Sequence, residues 1–387
     1  MPQVRRLLLV TLLGFFSFCL TLASLPFWAV SGGTSPSTAG LVTTTMLAST
    51  VATQAAVPWL LIRFDTGVVL AAGLVALGAP APFLALSAQL EPLLVTAAIR
   101  GAGFAILTVV GTSLTATVAP AGRHGESVGL YGLGIALPNL LGVPVGVVLT
   151  QHGEFLWVAL LAASPLAAVP VALGLGKEPV LRSGKTVVRS HRRAVVAVLA
   201  PSFVLLAVTV AGGGLLTYVP IARPDGALAA AALLLFGLVA AASRWRVGAI
   251  ADRGGTRFLL PGFVLVAVVG MVLVALGVHA TSDAAVLAGA VVFGAGYGAV
   301  QNLTLVVAFA RVGPSRTTTA SSVWNAAFDT GTGIGAGVTG AVAAMGIGLG
   351  GAFVLSAALM TVALPLSFAG ARNQSPEASA QDTASTG

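Results

Sequence analysis

The chain has 387 residues, 57% of them hydrophobic and 8% charged, with a net charge of +8 and a single cysteine. Charged residues are about a third of the usual share for a soluble protein, and the mean hydropathy is +1.00. A water-soluble domain is therefore excluded. Repeated apolar runs of about 20 residues between short polar stretches predict membrane-spanning helices.

In chain order the runs fall at 7–30, 38–62, 68–88, 93–118, 128–150 and 155–175, then at 194–221, 227–246, 258–278, 284–310, 321–345 and 349–368. Each is long enough to cross a hydrocarbon core of roughly 30 Å. None shows the alternation of a transmembrane barrel strand. The first run is too long for a signal peptide and has no convincing small-residue cleavage site. The expected fold class is an all-α integral membrane protein with twelve transmembrane helices in two six-helix, pseudo-symmetric halves, 1–175 and 194–370. The polar stretch 176–193, "GKEPVLRSGKTVVRSHRR", reads as a cytoplasmic linker, and 371–387 has the composition of a disordered cytoplasmic tail.

Lysine and arginine set the orientation. With both termini cytoplasmic, the inner segments hold 17 of the 19 basic residues, leaving Arg223 outside and Arg100 within a span. The reverse arrangement breaks the positive-inside rule. Glu91, Glu154, Asp225 and Asp283 fall on the outer side. The basic charge thus lines one face of a cell membrane, where it meets lipid headgroups rather than nucleic acid.

Cys19 sits in an apolar run, so no intramolecular disulfide can form, and His124, His152, His191 and His279 are scattered over loops. No metal cluster and no cofactor are expected. No phosphate-binding G-x-x-x-x-G-K-[ST] loop or hydrolytic constellation is present, which argues against an enzyme or ATP-driven pump. Gly335, Gly337 and Gly340 spell G-x-G-x-x-G, but inside an apolar run rather than after a strand. Close helix packing is the better account of them.

The stretch "RVGAIADRGGTR", 246–257, carries four charges among its twelve residues. The equivalent site in the first half, 58–67, lies 190 positions earlier: Arg63 matches Arg253, whereas Ile62, Asp65 and Gly67 replace Asp252, Gly255 and Arg257. Gly248, Asp252, Arg253, Gly255 and Arg257 form G-x-x-x-D-R-x-G-x-R. This resembles the loop signature of the major facilitator superfamily, which follows the second span and recurs after the eighth. The resemblance implies a gate latch: the aspartate meets a helix N-terminus, where the dipole favours negative charge, and the arginines join a cytoplasmic network. The expected partner is the start of the fifth span near 125–127. A tight turn with topogenic arginines is the alternative.

Two further stretches resemble the same superfamily: "IRGAGFA" at 99–105, with its intramembrane arginine, and "YGLGIALPNLLGVPVG" at 131–146. The latter is close to a fifth-span exporter pattern but lacks the adjacent Gly-Pro pair. A helix bent by Pro138 and Pro144 reads equally well. As a whole the chain resembles an actinobacterial drug or metabolite efflux permease with the major facilitator fold, acting as a monomer.

Candidate site residues are polar groups inside spans, because such groups are costly there and face protein or water. Arg100 and Asp329 are the two charges placed deep in the hydrocarbon. Asp329 is assigned as proton carrier, since a carboxyl in a partly dry cavity can gain and lose a proton, and Arg100 as its charge partner. A structural buried pair is the competing reading. Asn325 and Asp329 share a helix face, as do Tyr297 and Gln301. Trp324, Phe328, Phe27, Trp28 and Tyr218 could supply aromatic walls, and Gln54 and Asn139 hydrogen bonds. The expectation is a secondary active transporter, effluxing small hydrophobic or amphipathic compounds in exchange for protons by alternating access. The alternatives are uptake of a sugar or metabolite by the same fold, and a non-transporting membrane sensor.

Overall fold

The computed structural model describes residues 2–118, 124–175, 188–223, 226–254, 256–312 and 317–371. Among these, every regular element is helical. That is what lipid demands, because only a helix satisfies all its backbone polar groups within one isolated segment.

The first expected span is α1 (Pro2–Leu22) with α2 (Ser24–Ser31), and the second is α3 (Pro36–Ala39) with α4 (Leu41–Arg63). Next come α5 (Thr66–Gly78), extended by a tight helical turn Ala81–Leu86, then α6 (Leu90–Val118) and α7 (His124–Gln151). α8 (Phe155–Leu161) and α9 (Pro165–Leu173) share the sixth run. The second set is α10 (Val188–Ala222), α11 (Gly226–Gly254), α12 (Leu259–His279), α13 (Asp283–Val312), α14 (Thr317–Val342) and α15 (Gly348–Ala371).

By length and hydropathy alone, ten stretches among the described residues can cross a membrane. Two local features account for the difference from twelve. Ser322–Phe368 forms one apolar stretch of 47 residues, since no polar segment separates α14 from α15. The chain nonetheless turns there at Gly346 (φ 97°) and Gly348 (φ 67°), left-handed conformations that suit glycine. In α7 the qualifying part is the shorter apolar piece Leu137–Gln151.

The eighth apolar stretch, Ala227–Gly248, ends within two residues of its expected end at 246, but the helix runs on past it. α11 stays helical to Gly254, because Val247, Ala249, Ile250 and Ala251 give it no reason to stop before the glycines. Arg244 therefore lies about 15 Å inside the helix end.

The helices before residue 176 pack mainly on one another, α4 on α6 and α1 on α7, and those after 187 likewise, α12 on α13 and α10 on α14. The two sets meet along α4 and α14, along α7 and α11, and where α2 touches α10. Glycines permit the tightest approaches. A side chain at Gly335 would strike the Val210 carbonyl, and one at Gly340 would strike Tyr218 and the Pro36 carbonyl. The 335–340 glycines are thus a packing strip between α14, α10 and α3. Large apolar side chains such as Trp245, Val362 and Phe83 remain on the outside, where lipid replaces water.

Candidate functional site

Four helices bring polar side chains together at mid-depth. Asp329 stands twelve residues into α14, roughly 18 Å from its start, and is 8% exposed. Gln54 of α4, from the other set of helices, donates its amide to Asp329 Oδ2 at 2.9 Å. Thr44 extends the same seam by donating to the Gly333 carbonyl at 2.7 Å. The carboxylate is therefore tied across the junction of the two helix sets.

α13 supplies the next layer. Tyr297 is buried, with its hydroxyl near Thr332 of α14 and within electrostatic reach of both Arg244 and Asp329. One turn further, Gln301 accepts a hydrogen bond from Arg244 Nη1 at 3.1 Å. The Arg244 guanidinium also lies over the Trp324 ring, 6.0 Å from its centroid. Trp324 is held in turn by its indole N–H donating to Thr304 Oγ1 at 3.1 Å. Its ring stacks on Phe328 at 5.8 Å, and Phe328 tilts toward Tyr297 at 6.4 Å. Phe236 of α11 closes on Tyr297 at 5.1 Å. Asn325 lies one turn from Asp329 on α14 and is half-buried.

Arg244 was not among the candidates read from sequence, where it counts as a topogenic arginine at the end of a span. The missing signal was the helical continuation to Gly254. Arg244 is exposed although its guanidinium points at α13 and α14. Asn302 donates to the Arg244 backbone carbonyl at 2.9 Å, which fixes that turn of α11 against α13. Among the described residues, Arg244 and Asp329 form no direct ion pair; both lie within electrostatic reach of Tyr297.

Arg100 is elsewhere. It is fully buried in the first helix set, and its guanidinium donates to the carbonyls of Leu77 (3.1 Å) and Ser17 (3.1 Å) and to the hydroxyls of Ser17 (3.2 Å) and Thr21 (3.0 Å). Ser17 Oγ donates onward to the Ala162 carbonyl at 2.5 Å. The arginine thus cross-links α6, α5 and α1 through neutral acceptors and has no carboxylate partner among the described residues.

The remaining candidates are spread out. Tyr218 is buried beside Gly40 and Gly340, far along α14 from Asp329. Trp28 packs within the first helix set, its indole donating to the Leu84 carbonyl at 3.1 Å and its ring stacked on Phe155 at 4.4 Å. Phe27 is half-buried on α2. Asn139 is exposed on α7 and donates to the Ile135 carbonyl at 3.3 Å.

The latch motif is only partly in view. Gly248 packs toward Asn302, and Arg257 lies over Phe258, 5.3 Å from its centroid. Asp252 and Arg253 fall on the last turn of α11. Their side chains, all of Gly255, and the side chains of 125–127 lie outside the described residues. Among the described residues, no three His, Cys, Asp or Glu side chains gather within reach of a metal.

Comparison with known proteins puts this arrangement in context. The family model of the Major Facilitator Superfamily matches residues 7–336. A sequence comparison with curated proteins finds no match. Among solved structures, a bacterial homologue of the human lysosomal transporter Spinster, inward-facing and occupied, superposes with a TM-score of 0.75 at 17% identity, over 96% of this chain and 98% of that one. The nucleoside transporter NupG gives 0.76 at 14% identity, over 97% and 100%. A POT family transporter in complex with a thioalcohol-conjugated peptide gives 0.76 at 16% identity, over 95% and 94%. With a family model spanning most of its length and the same fold in these neighbours, the chain belongs to the Major Facilitator Superfamily.

Proposed function

We propose that this membrane transporter exports small hydrophobic or amphipathic compounds in exchange for protons, by alternating access, with Asp329 as the proton carrier. The observation that carries the reading is the Gln54–Asp329 hydrogen bond, which ties the two helix sets together through a group that can change charge. A hydrogen bond to an ionised carboxylate contributes about 1.5–3 kcal/mol, against about 0.5–1.5 for a neutral pair. The bare carboxylate therefore holds α4 to α14. Loading it with a proton, or with a cationic group of a substrate, loosens that strap and frees the halves to rock.

An empty carrier that cannot switch, while either loaded form can, is an exchanger. The same logic disfavours uptake by co-transport, which needs an empty carrier free to return. An inward proton gradient then drives export. Arg100 serves in this reading as a brace within the first helix set rather than as the partner of Asp329.

The close approaches between the helix sets run from Pro36–Gly340 to Gln54–Asp329. With the termini cytoplasmic, they seal the outer side and leave the inner side to open. The D-R-x-G-x-R stretch at 252–257 would be the inner latch that engages when this arrangement reverses. The efflux subtype rests on the sequence resemblance.

The direct test is transport by the reconstituted protein in inverted vesicles against a panel of dyes and antibiotics, with and without an acidic interior. Accumulation of at least one compound that collapses when the pH gradient is dissipated is expected. Accumulation only when substrate and protons move in the same direction would overturn the exchanger.

A further inference from the structure

Arg244 is the group that proton exchange leaves unused. It sits well inside α11, is exposed, and has as protein partners only a neutral amide and the face of an indole among the described residues. Desolvating a guanidinium part-way into a membrane is costly unless it gains a compensating partner. Arg100 resolves the same problem with carbonyls and hydroxyls and is sealed. Arg244 makes one such bond, and the rest of its planar donor fork is left to whatever enters. A planar fork beside an aromatic face fits a carboxylate.

Gln301 adds to this. Its carbonyl oxygen is taken by Arg244, which leaves its amide N–H groups as donors on the same side. Asp329 Oδ2 is bonded to Gln54, and Oδ1 has no partner among the described residues. The site thus offers one positive and one negative pole, not paired to each other, each within electrostatic reach of Tyr297. Trp324, Phe328 and Phe236 form the apolar wall around it.

We infer that the substrates are amphipathic zwitterions, with a carboxylate docked on Arg244, an ammonium on Asp329 and an aromatic or aliphatic body against Trp324 and Phe328. This rests on the exchanger reading and deepens it, because an ammonium and a proton then contend for one carboxylate. Tyr297 from α13 is the titratable group within electrostatic reach of Asp329, Arg244 from α11 is within reach of that same tyrosine, and α4 contributes the neutral Gln54.

The test is equilibrium binding, by calorimetry on the full chain in nanodiscs without any gradient, so a failure of proton coupling cannot masquerade as a failure of recognition. Four probes share one body: naphthylalanine, its amide, its N-acetyl derivative and its N-acetyl amide. They present both charges, the cation alone, the anion alone and neither. The zwitterion should bind at least about tenfold tighter than either singly charged probe, the gain expected for one charge-assisted hydrogen bond. Arg244→Gln should abolish the advantage of naphthylalanine over its amide while keeping its advantage over the N-acetyl form. Asp329→Asn should do the reverse. Arg244→Lys, which keeps the charge and loses the fork, should retain part of the carboxylate preference. Equal binding by zwitterion and neutral probe, no binding by any of the four, or a carboxylate preference that survives Arg244→Gln would each overturn the assignment. If naphthylalanine binds as expected but no proton-driven transport is found, recognition stands and the exchanger reading falls.

Discussion

Arg100 and Arg244 are the same residue type, both inside membrane helices, and they have opposite surroundings. Arg100 is fully buried and donates four hydrogen bonds within one helix set. Arg244 is exposed, donates one to a neutral amide, and points at α13 and α14. A sealed cation whose terminal guanidinium nitrogens donate to protein acceptors is out of a substrate's reach. One that is accessible and poorly met is not. The contrast turns on the number of protein acceptors and on access, not on depth in the membrane.

Substitutions should separate the two. Arg100→Met leaves the Leu77 and Ser17 carbonyls and two hydroxyls without their donor, at about 1–3 kcal/mol each for sealed groups. We expect a loss of about 3 kcal/mol or more, read as a large fall in melting temperature in detergent and poor recovery of folded protein. Thr21→Val keeps the shape and removes one acceptor of Arg100, so the loss should be about 1 kcal/mol. Arg244→Met should cost least, about 1 kcal/mol or less, because it removes an exposed group with one neutral partner. Transport should respond in the opposite order among variants that fold: lost in Arg244→Met, retained in Thr21→Val. If Arg244→Met melted as low as Arg100→Met, both arginines would be structural and the contrast would dissolve.

Much of the fold was legible because lipid leaves a chain few options. Apolar runs near 20 residues become helices, and all twelve expected runs coincide with helical segments. The end of the eighth span was legible to within two residues, but the continuation of its helix to Gly254 was not, since hydropathy falls at Arg244 while helix propensity continues. That unseen continuation hid Arg244. In the site, the helical spacings that grouped Asn325 with Asp329 and Tyr297 with Gln301 follow from sequence alone. The packing partners do not. Which face of α4 meets α14, and hence that Gln54 reaches Asp329, depends on long-range contacts. Trp28 and Tyr218 share the composition of a cavity wall but are held elsewhere by Leu84, Phe155, Gly40 and Gly340. An intramembrane arginine and an intramembrane aspartate likewise invited pairing, whereas Arg100 is met within its own helix set.

The measurement that bears most directly on the exchanger is the Asp329→Asn variant, assayed two ways in the same proteoliposomes. Asparagine keeps the size and can still meet Gln54, but it takes up no proton. Accumulation of substrate driven by an acidic interior should be abolished, while exchange of the same compound between equal concentrations persists at reduced affinity. Undiminished proton-driven accumulation by Asp329→Asn would show that another group carries the proton, and the strap between Gln54 and Asp329 would lose its role.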